Sequence, residues 1–147
     1  MRRRQLGMAA LIVAAGVLGL AAVRVEAVTA YQGKNRPLLV FAGSGSDPAL
    51  ARQRGIVKAL RPAFIDRKMV VVYVSGDTVT ADLGPPPQQS ASALRQRYGV
   101  GDGQFRAVLI GLDGGVKLTA SEPIAGEKLF ATIDAMPTRQ DEQRKGR

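Results

Sequence analysis

Two uninterrupted apolar runs, Pro37-Leu38-Leu39-Val40-Phe41-Ala42 and Met69-Val70-Val71-Val72-Tyr73-Val74, constrain this chain more than any other feature. Strands that are apolar without alternation are buried on both faces, and that occurs chiefly in sheets covered by helices on either side. The segment between them is patterned as a helix. Asp47 suits an N-cap, Pro48 suits the first helical position, and Leu50, Val57, Leu60 and Phe64 recur near one face. Pro62 falls inside that span and requires a kink or a break. A strand, a crossover helix and a second buried strand form a right-handed βαβ unit with parallel strands.

Downstream, Ser75–Gln89, which contains Pro85-Pro86-Pro87, reads as loop. Ser90 then caps a short helix that carries Leu94 and Tyr98 and ends at Gly99. Ala107–Leu112 is a third strand, and Asp113-Gly114-Gly115 is a hairpin turn into Val116–Thr119. Leu129, Phe130, Ile133 and Met136 give the last helix its buried face, Pro137 stops it, and the charged residues 138–147 are expected as a flexible tail. The expected fold is α/β, a single β-α-β-(α)-β-β-α domain over residues 28–137 with a four-stranded mixed sheet flanked by helices. Its predicted core is Leu39, Phe41, Val71, Tyr73, Val108, Ile110, Phe130 and Ile133.

The amino terminus reads as a targeting segment. Arg2, Arg3 and Arg4 precede the charge-free stretch Leu6–Val23, and Val25-Glu26-Ala27 offers small residues for cleavage after Ala27. The stretch is also near the lower limit for a membrane span, so a retained anchor over residues 6–23 is the alternative. In either case the domain is expected outside the cytoplasm, periplasmic or extracellular.

Lys and Arg number 21 against 12 Asp and Glu, and the chain remains basic without its first 27 residues. With 5% aromatic residues it lacks the aromatic-basic surface of a nucleic-acid binder, so a protein or an anionic envelope component is the expected partner. There is no Cys and no His. Thiol redox chemistry is thereby excluded, stability must come from packing rather than disulfides, and neither a metal site of the usual kinds nor a cofactor is expected.

The order of elements, with Tyr98-Gly99-Val100 ahead of the third strand and the Asp-Gly-Gly hairpin after it, resembles a thioredoxin-like fold. More closely, Arg36–Ala42, Met69–Val72, Leu94–Tyr98, Phe105–Lys117 and Leu129–Pro137 resemble the bacterial family called domain of unknown function 4174, itself similar to thioredoxin-like modules of some animal extracellular matrix proteins. The resemblance supplies no established activity. Working thioredoxins carry Cys-x-x-Cys where this chain has Gly43-Ser44-Gly45-Ser46, and a cis-proline where it has Gln104-Phe105-Arg106. Both halves of that redox site are missing.

The candidate ligand-binding residues are Gly43, Ser44, Gly45, Ser46, Phe105 and Arg106. The first four open a helix, whose free amides and dipole favour an anion, although Ser46 or Asp47 acting as a plain cap explains the same residues. In a thioredoxin-like arrangement Arg106 would face that loop and could hold a carboxylate or phosphate; the competing reading pairs it with Asp102. Phe105 is an anchor if exposed and core if buried. Asp77, Asp82 and Asp102 lack calcium-loop spacing, and the stripe Arg54, Lys58, Arg61 reads as a solvated face. Ser44 as a nucleophile is the enzyme alternative, without a Gly-x-Ser-x-Gly elbow or a His base.

Overall fold

A computed structural model describes residues 30–147; the expected signal segment and the alternative anchor over residues 6–23 lie outside the described residues. The chain runs β1 (Arg36–Ala42), α1 (Pro48–Ala59), α2 (Arg61–Asp66), β2 (Met69–Ser75), β3 (Thr78–Asp82), α3 (Ala91–Tyr98), β4 (Arg106–Ile110), β5 (Val116–Ala120), α4 (Gly126–Asp134) and α5 (Pro137–Lys145). The strands form one mixed α/β sheet in the order β3-β2-β1-β4-β5. β1 and β2 are parallel, with Arg36 opposite Met69 and Ala42 opposite Ser75, and the other pairs are antiparallel.

The unalternating runs are explained by two apolar layers. Leu38, Val40 and Ala42 point to one face, where they meet Leu50 and Val57 of α1, Phe64 of α2 and Leu129 and Ile133 of α4. Leu39 and Phe41 point to the other, with Val72, Val108, Ile110, Leu94 of α3 and Tyr31. All seven residues of β1 are buried. Phe130 is only half-buried, set edge-on to Phe64 at 5.3 Å between ring centres.

Local chemistry places most of the boundaries. Asp47 accepts the Ala49 N–H at 2.8 Å and caps α1, with Pro48 in its first turn. Pro62 does break the helix: α1 ends at Ala59, and α2 starts at Arg61 after Leu60 leaves helical geometry. Ser90 caps α3, and Gly99, at φ 65°, ends it. Two expectations are corrected. The sheet has five strands, not four, because Ser75–Gln89 is not all loop: Gly76, at φ 55°, starts a two-residue turn that folds Thr78–Asp82 back on β2. Residues 138–147 are not a flexible tail either. Pro137 ends α4 but stands in the first turn of α5, where its missing N–H costs nothing.

A charge network holds α5 in place. Arg36, fully buried on β1, donates to Glu142 Oε1 and Oε2 at 3.2 and 3.3 Å, to Thr138 Oγ1 at 3.2 Å and to the Arg67 carbonyl at 2.9 Å. Arg67 binds Asp134 through two bonds, at 3.0 and 2.8 Å, and lies over the Phe130 ring. Arg139 joins Asp66, Asp134 and Glu142. Although burial pushes the Glu142 carboxyl up, the Arg36 hydrogen bonds and charge, with Lys68 and Arg139, outweigh it and hold it below its ordinary value. The Arg67 hydrogen bonds do the same for Asp134, against a smaller effect of burial.

Both carboxyls titrate lower in the folded chain than in the unfolded one. Their contribution is therefore complete above the ordinary carboxylate range, about pH 4, and is lost as pH falls through the depressed values. Urea unfolding should show a flat stability from neutral pH to about pH 5 and a decline below about pH 4. Glu142→Gln should cost about 2 to 4 kcal/mol at pH 7, less than for a fully dry pair because Glu142 keeps some water, and should flatten the acid decline. A neutral Glu142→Gln would mean that α5 is not held by Arg36.

Candidate functional site

The carboxyl end of β1 gathers three turns. The Gly43–Asp47 segment leads into α1, the Gly76-Asp77 turn follows β2, and Gly101–Phe105 precedes β4. Gly43 and Gly103 bring the first and third together: a methyl group built on Gly43 would lie 2.6 Å from Gly103 Cα. Close backbone approach therefore explains the glycine at 43. Gly45 is different. Its φ is outside the left-handed region, and a methyl group there would meet only Ser75 Oγ, at 3.9 Å. Neither turn geometry nor packing requires glycine at that position, which leaves bare, accessible backbone at the start of a helix.

Ser44, Gly45 and Ser46 are exposed. The Ser44 and Ser46 hydroxyls are 3.1 Å apart and bond to each other. No lysine or carboxylate lies within hydrogen-bond reach of Ser44 among the described residues, so the geometry gives it no activating base. Asp47 performs the capping that the competing reading assigned to it.

Phe105 is half-buried and packs against the α1–α4 layer, as core rather than as an exposed anchor. Arg106, one residue on, sits opposite Phe41 in the β1–β4 register and so belongs to the other face of the sheet, the side of α3. It does not pair with Asp102. Half-buried, its side chain has no hydrogen bond or ion pair among the described residues.

The residue that sequence reasoning missed is Arg95. From α3 its guanidinium reaches under the turns and donates to the Gly76 carbonyl at 2.7 Å and the Ala42 carbonyl at 3.0 Å. It is 7% exposed, its Nε is without a partner, and no carboxylate joins it among the described residues. Only its place near the end of an amphipathic helix, two residues before the lone exposed-looking Arg97, was visible in the sequence, and that pattern is shared by solvated arginines. Arg95, Arg106 and the amino terminus of α1 put positive potential at this edge. Asp47, Asp77 and Asp102 lie in the same turns and oppose it in part.

Asp82 is bound by Arg61 at 2.9 Å, and no cluster of three acidic groups among the described residues is placed to hold a metal ion. The basic stripe Arg54, Lys58, Arg61 is exposed, a solvated face as expected, with Arg54 over the Tyr73 ring and Arg61 paired with Asp82. A shallow apolar groove of about 550 Å³ lies elsewhere, between α1 and the start of α4, lined by Ile56, Ala59, Leu60 and Gly126. It contains none of the candidate residues. Arg52 is its only charged lining.

Over residues 27–142 the sequence matches the family described as Domain of unknown function (DUF4174). The chain belongs to the DUF4174 family. No curated protein and no solved structure shows a significant match. The match spans every element from β1 into α5, so the DUF4174 pattern includes both the three-turn edge and most of the helix bound by Arg36.

The two glycines of this DUF4174 edge should behave oppositely. Gly43→Ala forces apart two backbones and should cost about 1 to 3 kcal/mol. Gly45→Ala should be neutral or stabilising by up to about 1 kcal/mol, because it only restricts the unfolded chain. Thermal unfolding of the two variants checks this, and a strongly destabilised Gly45→Ala would give that glycine a purely structural role.

Proposed function

We propose that this DUF4174 domain is an exported, thioredoxin-like binding module without redox chemistry, and that it holds an anionic group of an envelope component at the carboxyl edge of its sheet. The observation that carries the reading is Arg106: a half-buried guanidinium at the site edge with no acid of its own among the described residues. A guanidinium of this kind keeps its donors available for a carboxylate or phosphate. The accessible backbone at Gly45 and the positive end of α1 support the same chemistry, with Pro48 offering no N–H and Asp47 and Ala49 donating theirs within the turn.

The mixed sheet with a parallel β1–β2 pair at its centre and antiparallel β4 and β5 supports the thioredoxin-like reading. The absence of cysteine from the whole sequence removes the chemistry usually associated with that architecture. Export rests on the basic, then apolar, amino terminus, whether cleaved after Ala27 or kept as an anchor.

Amide chemical shifts recorded while inorganic phosphate, citrate or a soluble anionic envelope polysaccharide is added test the binding. The footprint should centre on residues 43–47 and 105–106. Arg106→Gln should weaken it by about tenfold, the loss of one charge-assisted contact. A footprint confined to the α1–α4 groove, or binding unchanged by Arg106→Gln, would remove this function from the edge.

A further inference from the structure

β3 is an edge strand of the sheet, and β2 holds it in unbroken register from Ser75 opposite Thr78 to Val71 opposite Asp82. Ser75 and Thr78 flank a two-residue turn and so form a hydrogen-bonded pair. Alternation then directs the backbone groups of Thr78, Thr80 and Asp82 to β2 and leaves those of Val79 and Ala81 facing outward. Neither residue makes a backbone hydrogen bond outside the ladder among the described residues. The next outward donor, Leu83 N–H, is taken by Asp82 Oδ1 at 2.8 Å, and Leu83, at φ 66°, turns the chain away. The open stretch is short and closed at both ends.

Exposed edges are usually blunted by lysine, proline or a bulge. The opposite edge is blunted: β5 carries Lys117, and its pairing with β4 slips at Leu109/Ile110. The sequence Thr78-Val79-Thr80-Ala81-Asp82 has no lysine, proline or bulge, and the charge of its one acid is met by Arg61.

We propose that β3 pairs with β3 of a second copy of this chain, antiparallel about a two-fold axis at Thr80, so that two sheets become one. In this register Val79 lies opposite the other copy's Ala81 and the two exchange both backbone bonds. Thr80 meets Thr80, and Thr78 meets Asp82, with no like charges opposed. The free groups, the length and the charges of the strand are thus complementary to themselves. A foreign extended peptide would gain the same backbone bonds, but recognition of that kind takes its specificity from side-chain pockets beside the edge. The groove between α1 and α4 and a second one along α3, lined by Ser92, Gln96 and Arg97, do not reach β3. A ladder this short is smaller than the roughly 800 Å² per partner of a standard interface, so the dimer is expected to depend on concentration.

Because the chain has no cysteine, a single introduced thiol reports on the pairing. At the axis two Thr80 Cα atoms would lie about 4.5 Å apart, which a disulfide spans. In the protein as purified from its host, Thr80→Cys should cross-link under mild oxidation on the order of tenfold faster than Thr119→Cys on β5. Adding Val79→Pro, which removes an outward N–H and leaves the β2–β3 ladder whole, should return the rate to that of the control. Equal rates at the two edges, or no effect of Val79→Pro in a chain that folds, would overturn the proposal. Should the proline variant not fold, sedimentation velocity decides: the unmodified protein should show a concentration-dependent monomer and dimer, and Thr80→Lys, which opposes two cations, should be monomeric. An unmodified protein that is monomeric at every concentration would equally overturn it.

Discussion

Two buried guanidinium groups fix the two ends of the central strand, and the rest of the structure depends on that strand. Arg36, at the start of β1, faces α5 and holds Glu142 and Thr138; Arg95, on α3, reaches the carbonyl of Ala42 at the other end. Between them every residue of β1 is buried, so the strand's polar ends need protein partners; backbone bonds from Arg36 N–H to the Lys68 carbonyl and from Gly76 N–H to the Ala42 carbonyl join these contacts. The two ends are held differently. Arg36 meets a carboxylate, and its charge is balanced, whereas among the described residues the Arg95 guanidinium meets carbonyls and no acid. A cation that is 7% exposed with no counter-charge among the described residues is costly, and it raises the potential of the turns above it.

This arrangement ties the ends of the central strand without disulfides and leaves the loop that follows free to be made of glycine and serine. In the thioredoxins with which the proposed function compares this domain, the start of the first helix is occupied by thiols. Here it presents exposed serine hydroxyls in a turn that follows the Arg95-bound Ala42 and is packed from the side by the Gly43–Gly103 contact. The shape of this edge is thus set by backbone and by buried charge, and the Ser44 and Ser46 side chains are exposed.

Much of the fold was legible because its signals are local. The buried runs predicted β1 and β2, Asp47-Pro48 and Ser90 marked helix starts, Pro62 marked a break, and Asp113-Gly114-Gly115 marked a hairpin. β3 was legible too but was outweighed by the prolines after it: Gly76-Asp77 between Val74-Ser75 and Thr78-Val79 is a two-residue hairpin signal. The fate of α5 was not legible, since residues 138–147 have the composition of a solvated tail. Tertiary contacts bind them: Arg36, in an otherwise apolar strand, holds Glu142 and Thr138, and Arg139 reaches Asp66 and Asp134. The site shows the same division. The loop at 43–46 could be read from its place before a helix, but which arginine lies under it depends on a contact across 53 positions, from Arg95 to Ala42. Arg106 was found by sequence position, yet its side of the sheet follows from its register with Phe41.

Native-state hydrogen exchange on Arg95→Met, which keeps the bulk of the side chain and removes its donors, tests this account most directly. If the buried guanidinium positions the carboxyl edge, amides of residues 43–47 and of the Gly76-Asp77 turn should exchange faster than in the unmodified protein, while those of α5, held by Arg36 at the far end, should keep their protection. Unchanged exchange at residues 43–47 and 76–77 would contradict the account, because the turns would then hold their places without Arg95.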